Sequence, residues 1–312
     1  MSDLNYTLLD EVLKIGGKIK SSVNLATGEF EQVSGPNDED ESGASPAGKP
    51  VSEGAPLSKM HKRTRIEWAS GGGLLKVYNG MAKDAPKGGK RGKVKGFSFA
   101  SRRRLMYTIA KVKLDAELPI FITLTYPMKF PSPMESKKHL DFFIRRLRRA
   151  FPQIGFIWKL EPQERGAPHY HIMAWGVAEM DLQNFIPQAW FEIAGGGDML
   201  HIAFHEGRLG NQHCVQQVRS RKGVMRYASK YLGKSFDVSG WSEIYPGRFW
   251  AVVKKENIPF GVECVFEISR SKANHIMRYQ KRFSKVKSRN YASLTTFCDS
   301  AQWIKNIFKE VV

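Results

Sequence analysis

The chain of 312 residues contains only three cysteines, Cys214, Cys264 and Cys298, scattered and odd in number. They form neither a disulfide framework nor a CxxC metal site, a usage that fits a reducing compartment. No run approaches the roughly eighteen apolar residues of a membrane span. The opening MSDLNYTLLDEVLK lacks a basic segment followed by an apolar core, so it does not read as a secretory signal. A phosphate-binding loop is missing too. Leu232-Gly-Lys-Ser235 resembles the end of one, but Ala228 stands where its first glycine would be. These absences lead us to expect a soluble cytoplasmic protein without a membrane contact and without a nucleotide-driven helicase domain. No internal repeat is visible.

Acidic residues are also scarce, but only after residue 60. Positions 1–60 hold five Lys and ten Asp or Glu, whereas 61–312 hold 44 Lys or Arg against 20 Asp or Glu, and the whole chain carries +19. Such an excess favours a polyanion, and counterion release makes its binding salt-sensitive. Arg102, Arg103, Arg104, Arg145, Arg148 and Arg149 are candidates for contacts with a nucleic-acid backbone.

The composition divides the chain into an acidic, partly disordered segment over 1–60, a basic linker over 61–96, a packed domain over 97–290 and a closing amphipathic helix over 291–312. Within the domain, 118–126 is a β-rich run, and 135–150 has Leu140, Phe143, Ile144 and Leu147 at helical spacing. Residues 154–161 and 169–177 read as two strands of a hairpin joined by a Pro- and Gly-containing turn. A helix follows over 181–193 with Asp181 as its cap, then a strand at 199–204. A helix is expected over 219–234, a late strand at 260–268 and a basic helix at 270–288. This order suits an α+β fold in which helices cover one face of an antiparallel sheet, rather than a doubly wound parallel sheet.

Chemistry-bearing residues gather in two places. His169 and His171 are two apart in an apolar run, so on a strand both rings leave one face. Glu161 ends the partner strand and can come across to them. Glu164, a competitor, sits in the expected turn, and Gln163 is placed to orient a bound water. Two imidazoles and a carboxylate leave coordination positions open, as a substrate-polarising cation requires. Mg²⁺ or Mn²⁺ suits phosphate chemistry better than a closed zinc site. His201 and His205 are read as bystanders, four apart across a strand and a turn.

The second place is Tyr227-Ala-Ser-Lys230-Tyr231, followed by Lys234. On a helix, Val224, Met225, Ala228 and Leu232 form the apolar side, and Tyr227 lies outside that arc beside Lys230 and Lys234. Tyr231 is either a second nucleophile or a packed aromatic. A phenol is ionised in only about one molecule in a thousand at neutral pH, and a nearby lysine or cation favours the phenolate.

Together these residues resemble the three motifs of HUH-type rolling-circle replication initiators. Phe121-Ile-Thr-Leu-Thr125 is similar to the first motif and Glu161 with His169-Tyr-His171 to the metal motif. Tyr227-Ala-Ser-Lys230-Tyr231-Leu-Gly-Lys234 is similar to the two-tyrosine form of the third. The resemblance covers about 97–290. It implies an RRM-like, ferredoxin-related antiparallel sheet and a metal bound by Glu161, His169 and His171. It further implies nicking of origin DNA through a 5′-phosphotyrosine on Tyr227 or Tyr231, assisted by Lys230, with Lys234 on the DNA. Host helicase and DNA polymerase would then be partners, in a bacterial or phage-infected cell. The alternatives are an HUH-type transposase, or a non-catalytic single-stranded nucleic-acid binder that stacks bases on aromatics.

Overall fold

The apolar runs on either side of Gln163-Glu-Arg-Gly-Ala167 form the expected hairpin, and one unit of the protein is built outward from it. A computed structural model of the chain describes residues 18–23, 30–31, 64–69, 71–80, 97–220, 241, 247–282 and 293–297. The chain divides into two compact units, Lys90–Phe260 and Met1–Gly89 with Gly261–Val312. In chain order the strands of the first half are β1 (Lys18–Val23), β2 (Phe30–Glu31), β3 (Thr64–Ala69) and β4 (Leu74–Asn79). Then come α1 (Phe99–Ala110), β5 (Ile120–Leu124), α2 (Pro133–Ala150), β6 (Gly155–Pro162), β7 (Pro168–Trp175) and α3 (Glu179–Trp190). The remainder is α4 (Met199–His205), β8 (Val215–Gln217), β9 (Trp250–Val253), β10 (Glu263–Glu267), α5 (Arg270–Arg282) and β11 (Ser293–Phe297).

The unit Lys90–Phe260 carries a five-stranded antiparallel sheet of order β8-β5-β7-β6-β9. Without the edge strand β9, the elements β5-α2-β6-β7-α3-β8 form the βαββαβ arrangement of ferredoxin-like folds. The expected α+β class and antiparallel sheet are therefore present.

Alternation along the strands sorts the side chains. Even-numbered residues such as Ile122, Phe156, Trp158, Tyr170 and Ile172 join Leu140, Phe143 and Leu147 of α2 and Leu182, Ile186 and Trp190 of α3 in one core. Both helices thus cover the same face. Helix α2 starts where Ser132 accepts a hydrogen bond from the Glu135 backbone N–H at 3.2 Å and Pro133 occupies the first turn. Its last turn carries Arg148 and Arg149, favourable against the carbonyl end. On the opposite face, Phe121, Ile157 and Met173 pack with Leu105 and Ile109 of α1. The same strands continue to Glu161, His169 and His171 on that second face.

Two local expectations are corrected. Residues Met199–His205 are a helix rather than a strand, begun by Asp198, whose side chain accepts from the Leu200 N–H at 3.0 Å. A short apolar run does not distinguish strand from helix by periodicity, and the cap decides it here. Helix α3 begins after Ala178, so Asp181 lies in its first turn with Glu179 instead of capping it.

The other unit holds a six-stranded antiparallel sheet of order β11-β4-β3-β10-β1-β2, with α5 against β3 and β4. Its β3–β4 hairpin lies within the stretch expected as a basic linker. Ile66, Trp68, Leu75 and Val77 are buried on one side, alternating with Arg65, Glu67, Lys76 and Tyr78 on the other. The late strand and the basic helix appear as β10 and α5. The acidic stretch at 32–63, the region 221–240 and the closing segment 298–312 lie outside the described residues.

Candidate metal centre

The hairpin register places the cluster. Glu161 stands opposite His169 and Lys159 opposite His171, while Thr123 of β5 flanks His171 from the other side. All five positions share one face of the sheet. The turn that brings the two strands back is closed by Gln163 N–H to the Ala167 carbonyl at 2.9 Å and Gly166 N–H to the Gln163 carbonyl at 2.8 Å. Gly166 sits at φ +81°, a conformation that glycine adopts without steric cost.

Glu161, His169 and His171 each present one ligand atom, and these atoms lie within 4.8 Å of one another. The rings of His169 and His171 have centroids 4.5 Å apart and stand nearly perpendicular, at 86°. His171 donates from Nε2 to Oε1 of Glu161 at 2.8 Å, and Lys159 donates from Nζ to Oε2 at 2.7 Å. Burial pushes the Glu161 carboxyl up. The hydrogen bond and charge of His171, with the nearby Lys159, outweigh that and hold it at about 2. Burial, followed by repulsion from His171, pushes His169 down to about 3. At neutral pH the site therefore offers an ionised carboxylate and a neutral imidazole at position 169, the forms in which these groups ligate a metal. Two nitrogen donors and one oxygen donor on one open edge of a sheet fit a divalent cation that keeps free positions.

Around the cluster, Gln163 places its Nε2 3.4 Å from Nδ1 of His169. Its Oε1 accepts from Arg165 Nε at 3.0 Å, so Arg165 sets the orientation of the amide. The same guanidinium donates to the carbonyls of Pro127 and Tyr126, tying the hairpin turn to the loop after β5.

His201 and His205 are outside the ligand cluster, as expected, but the geometry behind that expectation is corrected. One turn of α4 separates them, so their rings lie together, with centroids 4.5 Å apart. Both grip the backbone of Thr125 at the end of β5. His205 Nε2 accepts from the Thr125 N–H at 3.2 Å, and His201 Nε2 donates to the Thr125 carbonyl at 3.0 Å. Since Nε2 of His205 accepts, its Nδ1 carries the proton and donates to the His201 carbonyl at 2.9 Å. Burial, the largest influence, brings His205 down to about 4. Trp190 Nε1 adds a third bond, 2.5 Å to the Thr125 carbonyl. These supports were missed because a misassigned strand hid the i, i+4 spacing.

The expected DNA-contacting arginines do not come together. Arg102, Arg103 and Arg104 ride on α1, on the cluster-bearing face, with Arg103 and Arg104 exposed. Arg145, Arg148 and Arg149 ride on α2, which covers the other face, and Arg145 is engaged with Asp141 at 2.9 Å. Tyr227, Lys230, Tyr231 and Lys234 lie outside the described residues.

With the geometry in hand, comparison with known proteins supplies one further observation. Residues 119–236 match the family model of the ORF2-type replication-associated proteins. The matched span opens just before β5, contains the whole metal cluster and ends beyond Lys234. This part of the chain is therefore similar to replication-associated proteins, which supports a Rep-like role in DNA replication. No curated protein and no solved structure matches. Among the described residues, no helix is long and apolar enough to cross a membrane.

Proposed function

We propose that this chain is a metal-dependent, site-specific single-stranded DNA endonuclease of the HUH type that initiates rolling-circle replication. One observation carries the reading: Glu161, His169 and His171 converge on one sheet face inside a segment similar to replication-associated proteins. These three residues would hold Mg²⁺ or Mn²⁺. When bound, the cation would supply Lewis-acid charge stabilisation to a non-bridging oxygen of the scissile phosphate.

The chain's own side chains do the rest. His169, held neutral, keeps its lone pair, and Gln163 orients that ring. The phenol oxygen of Tyr227 forms the bond to phosphorus as the bond to the 3′ oxygen breaks, and the departing oxygen takes up a proton. The enzyme remains on the 5′ phosphate, and the free 3′ hydroxyl primes a host polymerase while a host helicase unwinds. Lys230 favours the phenolate, and Lys234 with the arginines of α1 and α2 contacts the DNA backbone. Tyr231 supplies the second transesterification, which closes the displaced strand into a circle.

The test is a covalent-adduct gel on single-stranded oligonucleotides that include the cognate origin. Purified protein with Mn²⁺ should migrate as a protein–DNA conjugate, and chelation of the metal should remove it. Tyr227→Phe should form no conjugate. Normal nicking by that variant would overturn the nucleophile assignment.

A further inference from the structure

Lys159 is a fully buried lysine in the middle of β6. Lysine is almost never buried to this degree unless paired. Its Nζ lies 2.7 Å from Oε2 of Glu161 and 5.1 Å from the centre of the Phe97 ring. In the hairpin register it stands opposite His171, so a permanent cation sits on the same face as the three candidate ligands. His171 already satisfies Oε1, and an apolar side chain would fill this core position at less desolvation cost. A purely structural account leaves the charge without a reason.

We infer that Lys159 is a positioning residue of the metal centre that also holds down its affinity for cations. By occupying Oε2, it leaves Glu161 a single oxygen on the imidazole side, so the carboxylate is presented as a monodentate ligand. With Lys159 beside it, the carboxylate contributes no net charge to the site, and an arriving divalent cation meets a repelling neighbour. A backbone phosphate supplies the missing negative charge. The cation is then held firmly once DNA is in place and exchanges readily when DNA is absent, a coupling that runs both ways. This inference rests on the metal reading proposed above.

The experiment is Mn²⁺ titration of the full chain without DNA, followed by the electron paramagnetic resonance signal of free Mn²⁺. Lys159→Gln keeps a donor for Oε2 but removes the charge, and Lys159→Met removes both. Both neutral variants should bind Mn²⁺ about tenfold or more tightly than wild type, while Lys159→Arg should stay near it. Loss of a merely structural ion pair would weaken binding instead. Equal or weaker binding by Lys159→Gln, in a protein with wild-type circular dichroism and cooperative melting, overturns the inference. Should the neutral variants fail to fold, the wild type carries the test: a single-stranded oligonucleotide must tighten its Mn²⁺ binding, and no tightening overturns the coupling. Wild-type protein that binds no Mn²⁺ with or without DNA would overturn the metal reading itself, a distinguishable failure.

Discussion

Glu161 faces His171 with one carboxylate oxygen and Lys159 with the other, at 2.8 and 2.7 Å. The register Lys159–His171 and Glu161–His169 across the hairpin makes this sharing possible, because four polar groups land on one face of two neighbouring strands. The site is held by backbone ladders rather than by a loop, so its ligands need little rearrangement to meet a cation.

Removing a ligand separates metal chemistry from DNA affinity. His169→Ala and His171→Ala should lose Mn²⁺ binding and cleavage, while affinity for single-stranded DNA stays within about threefold, since Lys and Arg on the phosphates supply that affinity. Calorimetry with Mn²⁺ and fluorescence anisotropy with DNA measure the two quantities. A parallel loss of both would assign the pair a folding role.

The amide of Gln163 supports His169 from outside the ligand set. Gln163→Leu should reduce metal affinity or activity by about tenfold, the lower end of what outer-shell partners contribute. Arg165→Ala should act in the same direction by freeing that amide. Comparing Mn²⁺ titrations of the two variants checks both.

Acid should unfold the protein through these buried groups. His169 and His205 have folded values of about 3 and about 4, below the ordinary histidine value of 6.5, so the unfolded chain binds the extra protons. Their contribution to stability is full above 6.5 and falls as the pH drops toward 4 and then 3. Glu161, held at about 2 against an ordinary 4.5, extends the loss to lower pH. The melting temperature of metal-free protein should decline steadily from pH 6.5 to 4. His205→Gln should flatten that slope, and an unchanged slope would show that this ring is protonated in the fold.

The two arginine groups should contribute unequally. Helix α1 lies on the cluster-bearing face and α2 on the other. Replacing Arg102, Arg103 and Arg104 by Ala should therefore weaken DNA binding more than replacing Arg145, Arg148 and Arg149. Every arginine removed from a phosphate should reduce the salt slope of binding by about one. Equal effects from both triples would mean that DNA wraps both faces.

Phe143 is fully buried between α2 and the sheet, with its ring edge-on to Trp190 at 5.6 Å. Phe143→Ala should cost about 3–5 kcal/mol in chemical denaturation, from the transfer energy of the removed ring plus the cavity left behind.

Much of the metal centre was legible because a strand has period two: His169 and His171 two apart, and Glu161 at the end of the preceding strand, can meet only in a hairpin. Helix α2 was legible from Leu140, Phe143 and Leu147 and from the Ser132-Pro133 start. Helix α4 was not, since Met-Leu-His-Ile-Ala-Phe-His is too short for its period to declare itself. Strands β8 and β9, of three and four residues, carry too little pattern to be found. Hairpin β3–β4 does alternate, but its sheet draws β10 and β11 from some two hundred residues away, and such pairing leaves no local trace.

Seen from the ribosome, the order of these strands imposes a schedule. Sheet β8-β5-β7-β6-β9 has all its members once Val253 has emerged, whereas β3 waits for β10 and β4 for β11. The metal-bearing unit is thus an insertion between two halves of the other sheet, and it can assemble during synthesis while the first hairpin still awaits its late-made neighbours.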